Sequence, residues 1–228
     1  MYSFSQAKLS NGLPLVFIKT PYLHRAVLTM FIKMGSAYED KETNGLSHFL
    51  EHVLLRGSAD YDNSLEFREA LENFGAFLRG ETFREFTYLR LTFLSQHHID
   101  KALAIFSEVF KNPRFNQEEM EVERKRILEE ILEYQDAEGQ DIDVDEIASA
   151  LLWPDHPLGL KIQGEKENIR RFKLSDIESH FQKFIRPNNI LLSLVGDFKD
   201  QDKLQKIAEE KLSFLLSPEI SGSKNTGS

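Results

Sequence analysis

An α+β fold, with an antiparallel or mixed β-sheet packed against helices, is predicted by three features of this sequence. Strand-like and helix-like segments alternate in blocks, without regular strand–helix–strand units. Asn11-Gly12 joins the first two strand-like runs as a hairpin. A compact apolar run at 189–195 (NILLSLV) follows most of the helices and reads as a buried strand. No internal repeat is visible.

Taken in order, Ala7-Lys8-Leu9 and 14–18 (PLVFI) flank the hairpin turn, and 26–34 (AVLTMFIKM) is a further strand. Residues 35–40 form a loop, and Thr43-Asn44-Gly45 precedes a helix. A second helix runs over 64–74 and stops at Gly75. Residues 76–82 and 85–93 are strands, the latter alternating Tyr88, Arg90 and Thr92 with Leu89, Leu91 and Phe93. A helix over 99–110 is broken before Pro113, and a long charged helix covers 117–134. Residues 146–152 are helical up to Pro154, 174–184 are helical, and 200–214 form a final helix. The segment 217–228 (SPEISGSKNTGS) is polar, rich in Gly and Ser, and reads as a flexible tail or linker.

The 228 residues suffice for one well-packed domain, and 18 Phe residues supply ample core material. A net charge of −9 argues against a nucleic-acid partner. No apolar run reaches membrane-spanning length, and the first residues resemble neither a secretory signal nor a transit peptide. A cytoplasmic protein is the resulting expectation. The absence of Cys excludes disulfides and thiolate metal sites, so a metal would be held by His, Asp or Glu.

The segment His48-Phe49-Leu50-Glu51-His52 carries the most specific chemistry. At helical pitch His48 and His52 lie one turn apart on one face, with Glu51 close to the same side. Two neutral imidazoles can share one Zn²⁺, which leaves the adjacent carboxylate to act on a water at the metal. A third protein ligand is then required. In the helix over 117–134, Glu123 and Glu130 share a face with Ile127 and Tyr134, whereas Glu129 and Glu133 share another. A solvated acidic face explains most Glu-rich helices, and periodicity alone does not choose between Glu129 and Glu130.

Three blocks resemble the catalytic domain of the pitrilysin, insulin-degrading enzyme and mitochondrial processing peptidase family. The first is Gly35-Ser36-Ala37-Tyr38-Glu39-Asp40, continuing through Asn44-Gly45-Leu46-Ser47 to His52. The second runs from Leu71-Glu72-Asn73-Phe74-Gly75 through Thr82, Arg84-Glu85 and Thr87-Tyr88. The third is Glu123-Arg124-Lys125-Arg126-Ile127-Leu128-Glu129-Glu130-Ile131. Trp153-Pro154-Asp155-His156-Pro157-Leu158-Gly159, Gly164-Glu165-Lys166-Glu167-Asn168-Ile169, Arg186-Pro187-Asn188-Asn189 and Val195-Gly196-Asp197 extend the likeness over about residues 5–215.

This resemblance implies the family's metallohydrolase fold over 1–216 and a zinc-dependent endopeptidase activity. It makes His48, His52 and Glu130 the ligands of one zinc, Glu51 the general base, and Glu123 an acidic residue that orients the site. Glu129 is the fallback if the helix register shifts by one. The implied substrates are extended peptides or unfolded protein segments, paired with the strand that holds Ala76, Phe77, Leu78 and Arg79. Leu55, seven residues past His48, falls at an apolar subsite position, or in the core.

Two departures stand out. Arg79 replaces the family's usual Asn, and Gly80-Glu81 replace a small and an aromatic residue, so the strand binds a different substrate class or none, or Arg79 simply faces solvent. Family members also pair this domain with a second similar domain or subunit, which supplies an Arg/Tyr pair; nothing after Leu216 matches it. The expected form is a first half, or a short form completed by homo- or hetero-association.

A non-catalytic, substrate-recognition subunit of a heteromeric processing peptidase is the alternative; such subunits typically lose motif residues, yet His48, Glu51, His52 and Glu130 are all present. The S-ribosylhomocysteine lyase type shares the spacing but needs a cysteine ligand, which this chain lacks. His24, His97, His98, His156 and His180 have no partner at convincing ligand spacing.

Overall fold

A computed structural model describes residues 2–94 and 98–215. His97 and the tail at 217–228 lie outside the described residues. The strands are β1 (Ser3–Lys8), β2 (Pro14–Lys19), β3 (Ala26–Ile32), β4 (Phe77–Thr82), β5 (Thr87–Phe93) and β6 (Ile190–Gly196). They form one sheet in the order β1-β2-β6-β3-β5-β4. The β2–β6 pair is parallel and the others are antiparallel, so the sheet is mixed and the fold is α+β.

The central strands alternate as the sequence requires. Leu28 sits in register between Leu91 and Leu194, and Met30 between Leu89 and Leu192. All six side chains are buried. Burying each one contributes about 1.5–3 kcal/mol against leaving it in water. Onto this core pack α1 (Leu46–Leu54), α2 (Ser64–Glu72), α3 (Ile99–Lys111) and α4 (Gln117–Glu133). The later helices are α5 (Val144–Leu152), α6 (Lys166–Arg171), α7 (Leu174–Phe184) and α8 (Gln201–Leu212).

Local chemistry sets the boundaries. Asn63 accepts from the Leu65 and Glu66 amides to start α2, and Asn116 accepts from the Glu119 amide to start α4. Asp143 caps α5, which therefore begins before the expected Glu146. The strand expected from residue 85 begins at Thr87, because the Phe83 amide turns back onto the Phe86 carbonyl. The short helix α6 was not legible in sequence, since KENIRR offers a single apolar residue and no period. Tertiary contacts hold it: Ile169 is fully buried, and the Asn168 amide donates to the Lys41 and Asn44 carbonyls.

No helix of the described residues is long and apolar enough to cross a membrane. α5 turns its apolar residues outward: Val144, Leu151 and Leu152 are about three-quarters exposed, while Glu146 is buried and paired with Arg84 at 2.9 Å.

Candidate metal and catalytic site

The site begins with α1, whose residues are buried almost throughout, as befits a helix apolar on most sides. Phe49, Leu50 and Leu54 are fully buried and fix its roll, which turns His48, Glu51 and His52 toward α4 and β4. Its first turn lacks a local side-chain cap. Glu39 takes that part instead, accepting from the Gly45 amide at 2.9 Å and the Ser47 amide at 2.7 Å. The carboxylate thereby meets the positive end of the helix. Burial pushes the Glu39 carboxyl up, while Ser47, Gly45 and Asn44 pull it back.

Gly45 itself has φ +103°, and a Cβ there would stand 3.0 Å from the Gly164 Cα and 2.7 Å from the Ile169 Cδ1. Gly45→Ala is expected to destabilise the fold by about 1–3 kcal/mol through backbone strain and overpacking. Urea denaturation measures this, and an unchanged midpoint at an unchanged slope would refute it.

Three donors converge between α1 and α4. The His48 and His52 Nε2 atoms are 3.1 Å apart, and Glu130 places Oε1 3.6 Å from His48 Nε2 and Oε2 3.5 Å from His52 Nε2. A tetrahedral ion bonded at about 2.0–2.1 Å to three such donors would hold them roughly 3.3 Å apart. The spacing and the all-N/O donor set fit zinc. Glu130, and not the exposed Glu129, is the α4 carboxylate that the fold places with the two histidines.

Without metal, these groups hold protons unequally. Burial and the charge of His52 push His48 down to about 4, against the pull of Glu130 and the Gln163 backbone. Burial also lowers His52, but its bonds to Glu123 and Glu130 and the charge of Glu51 prevail and raise it to about 9. Glu130 is raised by burial and lowered more by the two histidines.

Glu51 is buried, which lifts its carboxyl to about 7 despite His52 and a 3.2 Å hydrogen bond from Thr82 Oγ1 to Oε2. Strand β4 makes room for it at Gly80, where a Cβ would stand 2.4 Å from Glu51 Oε1. Glu123, also buried, holds His52 Nδ1 at 3.0 Å and Arg56 at 3.2 Å. Arg56 also reaches Glu119 at 3.1 Å. Arg56 and Thr82 carried no role in the sequence reading. Arg56 could have been found there, because it follows His52 by one helical turn.

Of the five residues expected at the substrate, Leu55, Ala76, Phe77 and Leu78 line one cavity of about 340 Å³ beside His52, with Phe67 and Leu71. Arg79 does not line it; it is exposed and lies over the Phe77 ring. Strand β4 is the sheet's edge, paired only with β5 among the described strands. Among the other described histidines, His180 is buried with Nε2 3.0 Å from Ser47 Oγ, and His24, His98 and His156 are exposed.

A family model described as Insulinase (Peptidase family M16) matches residues 15–166. A protein described as an uncharacterized zinc protease of Rickettsia felis is 32% identical over 219 residues, covering 96% of this chain and 52% of its own length. The mitochondrial-processing peptidase subunit beta of Lentinula edodes is 32% identical over 208 residues, with 91% of this chain and 43% of the relative covered. The crystal structure of a protease from Helicobacter pylori superposes with a TM-score of 0.81 at 21% identity, over 97% of this chain and 52% of that one. The chain thus spans about half the length of the relatives it matches.

Proposed function

Because the chain belongs to the insulinase family of peptidases, M16, we propose that it forms a zinc-dependent endopeptidase domain that hydrolyses extended peptides or unfolded protein segments. The observation that carries this reading is the convergence of His48, His52 and Glu130 beside the buried carboxyl of Glu51.

In this reading His48, His52 and Glu130 hold the ion. When bound, zinc acts as a Lewis acid toward the scissile carbonyl and the attacking water. Glu51 takes a proton from that water on a carboxylate oxygen and delivers it to the departing amide nitrogen as the C–N bond breaks. A carboxyl that changes state near pH 7 is suited to both transfers. Glu123 fixes the His52 ring through Nδ1, and Thr82 fixes the Glu51 carboxyl. The open edge of β4 receives the substrate backbone as an added strand.

Full activity requires a second similar domain or subunit. Support comes from the length of the relatives, about twice that of this chain, and from the outward apolar face of α5. The test is to measure bound zinc and peptide hydrolysis for this chain alone, and again with a candidate partner domain. Zinc without hydrolysis, followed by hydrolysis on adding the partner, supports the paired arrangement. Failure to bind zinc in either condition overturns the assignment.

Zinc binding is expected to release about one proton at pH 7. His52 is protonated there and must give up its proton, His48 is already neutral and Glu130 already ionised, and the partly protonated Glu51 beside the ion adds a fraction to the count. Zinc affinity therefore rises with pH from 7 toward about 9, where the competing proton on His52 is lost. Calorimetry in two buffers of different ionisation enthalpy reads the proton count; a buffer-independent heat contradicts it.

A further inference from the structure

The cavity beside His52 carries unbalanced charge. Its floor is apolar, formed by Leu55, Phe67, Leu71 and Ala76, while Arg56, Arg68 and Arg126 reach its wall. Arg56 is fully engaged by Glu119 and Glu123. Arg126 has one partner, Glu123 at 3.0 Å, a carboxylate already shared with Arg56 and His52. Arg68 is exposed on α2 and makes no ion pair among the described residues. Glu72, one turn further along α2, lines the same wall but does not pair with Arg68. Three guanidinium groups, Arg56, Arg68 and Arg126, thus face two carboxylates, Glu72 and Glu123, across an apolar floor, so the lining is net positive in a protein whose net charge is −9.

We propose that this cavity is a substrate subsite selecting an acidic side chain, with Arg68 and Arg126 as its specificity-determining residues. The proposal rests on the peptidase reading and adds to it a substrate class. A glutamate lays its methylene groups on the floor and offers its carboxylate to planar guanidinium donors, a pairing that is strong when partly desolvated. An apolar side chain fills the floor but strips water from the guanidinium groups without replacing it. A lysine or arginine meets like charge. Leu55 then serves as part of the floor, and the departure at Arg79 has no share in this subsite.

The test uses binding, so that it does not depend on turnover. The zinc-loaded full chain carrying Glu51→Gln is titrated with fluorescent peptides in which one position, walked along an otherwise neutral sequence, is Glu, Gln or Lys. At one register Glu is expected to bind about tenfold more tightly than Gln, with Lys weakest, and the difference should shrink as salt rises. Arg68→Glu should reverse the order to favour Lys while zinc content and thermal midpoint stay unchanged, and Arg68→Gln should flatten it. Equal binding of the three peptides at every register, no binding at all, or a preference for Glu that survives Arg68→Glu overturns the proposal. Hydrolysis of the same peptides by the unsubstituted chain, alone and with a partner domain, reports separately on the peptidase reading. Charge-selective binding without cleavage in either form would defeat that reading and leave the subsite standing.

Discussion

Replacing Glu51 with Gln is expected to lower peptide hydrolysis by about 10²–10⁴-fold while zinc content stays at the unsubstituted level. The amide has the shape of the carboxyl and keeps an oxygen to accept from Thr82, but it cannot take a proton from water. Because Glu51 is buried and titrates only near 7, the neutral amide also resembles a state the fold already tolerates. The loss should therefore fall on kcat, with the melting temperature little changed. Metal analysis alongside initial rates checks this, and an active Glu51→Gln protein would remove Glu51 from the chemistry.

Three carboxylates on α4 are expected to separate by role. Glu130→Ala removes one of the three convergent donors and should weaken zinc binding more than about a hundredfold, beyond the roughly 10–100-fold that supporting partners cost. Glu123→Gln leaves the donors in place but weakens the hold on His52 Nδ1, so it belongs in that 10–100-fold range. Glu129→Ala alters an exposed position outside the cluster and should leave affinity unchanged. Competition titration against a zinc chelator orders the three. A ranking with Glu129 above Glu130 would mean that α4 is turned by one residue from the arrangement described.

The part of the site legible in the sequence was the part built from local spacing. His48, Glu51 and His52 occupy a single helical turn, so elementary helix geometry puts them together before any tertiary contact exists. Glu130 could not be separated from Glu129 by periodicity, because an amphipathic pattern fixes a face only to within a residue; resemblance chose it, and the fold sets its carboxylate beside the two histidines. Glu39 lies in the first block of resemblance but has no role there, Arg68 lies in none, and their parts depend on which groups the folded chain sets opposite them. The fold shows the same division. Strands and long helices announced themselves by period, whereas α6 exists because Ile169 and Asn168 find partners far off in sequence, which no local pattern encodes.

The order of strands in the sheet has a consequence for synthesis. β6 is the last of the described strands to leave the ribosome, yet it lies between β2 and β3, near the middle of the sheet. At about 5–20 residues per second, β3 waits roughly ten to thirty seconds for the neighbour that joins it to the N-terminal hairpin. Throughout that interval β2 and β3 each lack the neighbour that joins them, and the helices bearing His48, His52 and Glu130 have only part of the sheet to pack on. A message cut between the codons for Glu130 and Ile190 would yield a polypeptide that holds His48, His52 and Glu130 but lacks β6, with unpaired strands open to other chains, a product for proteolytic clearance.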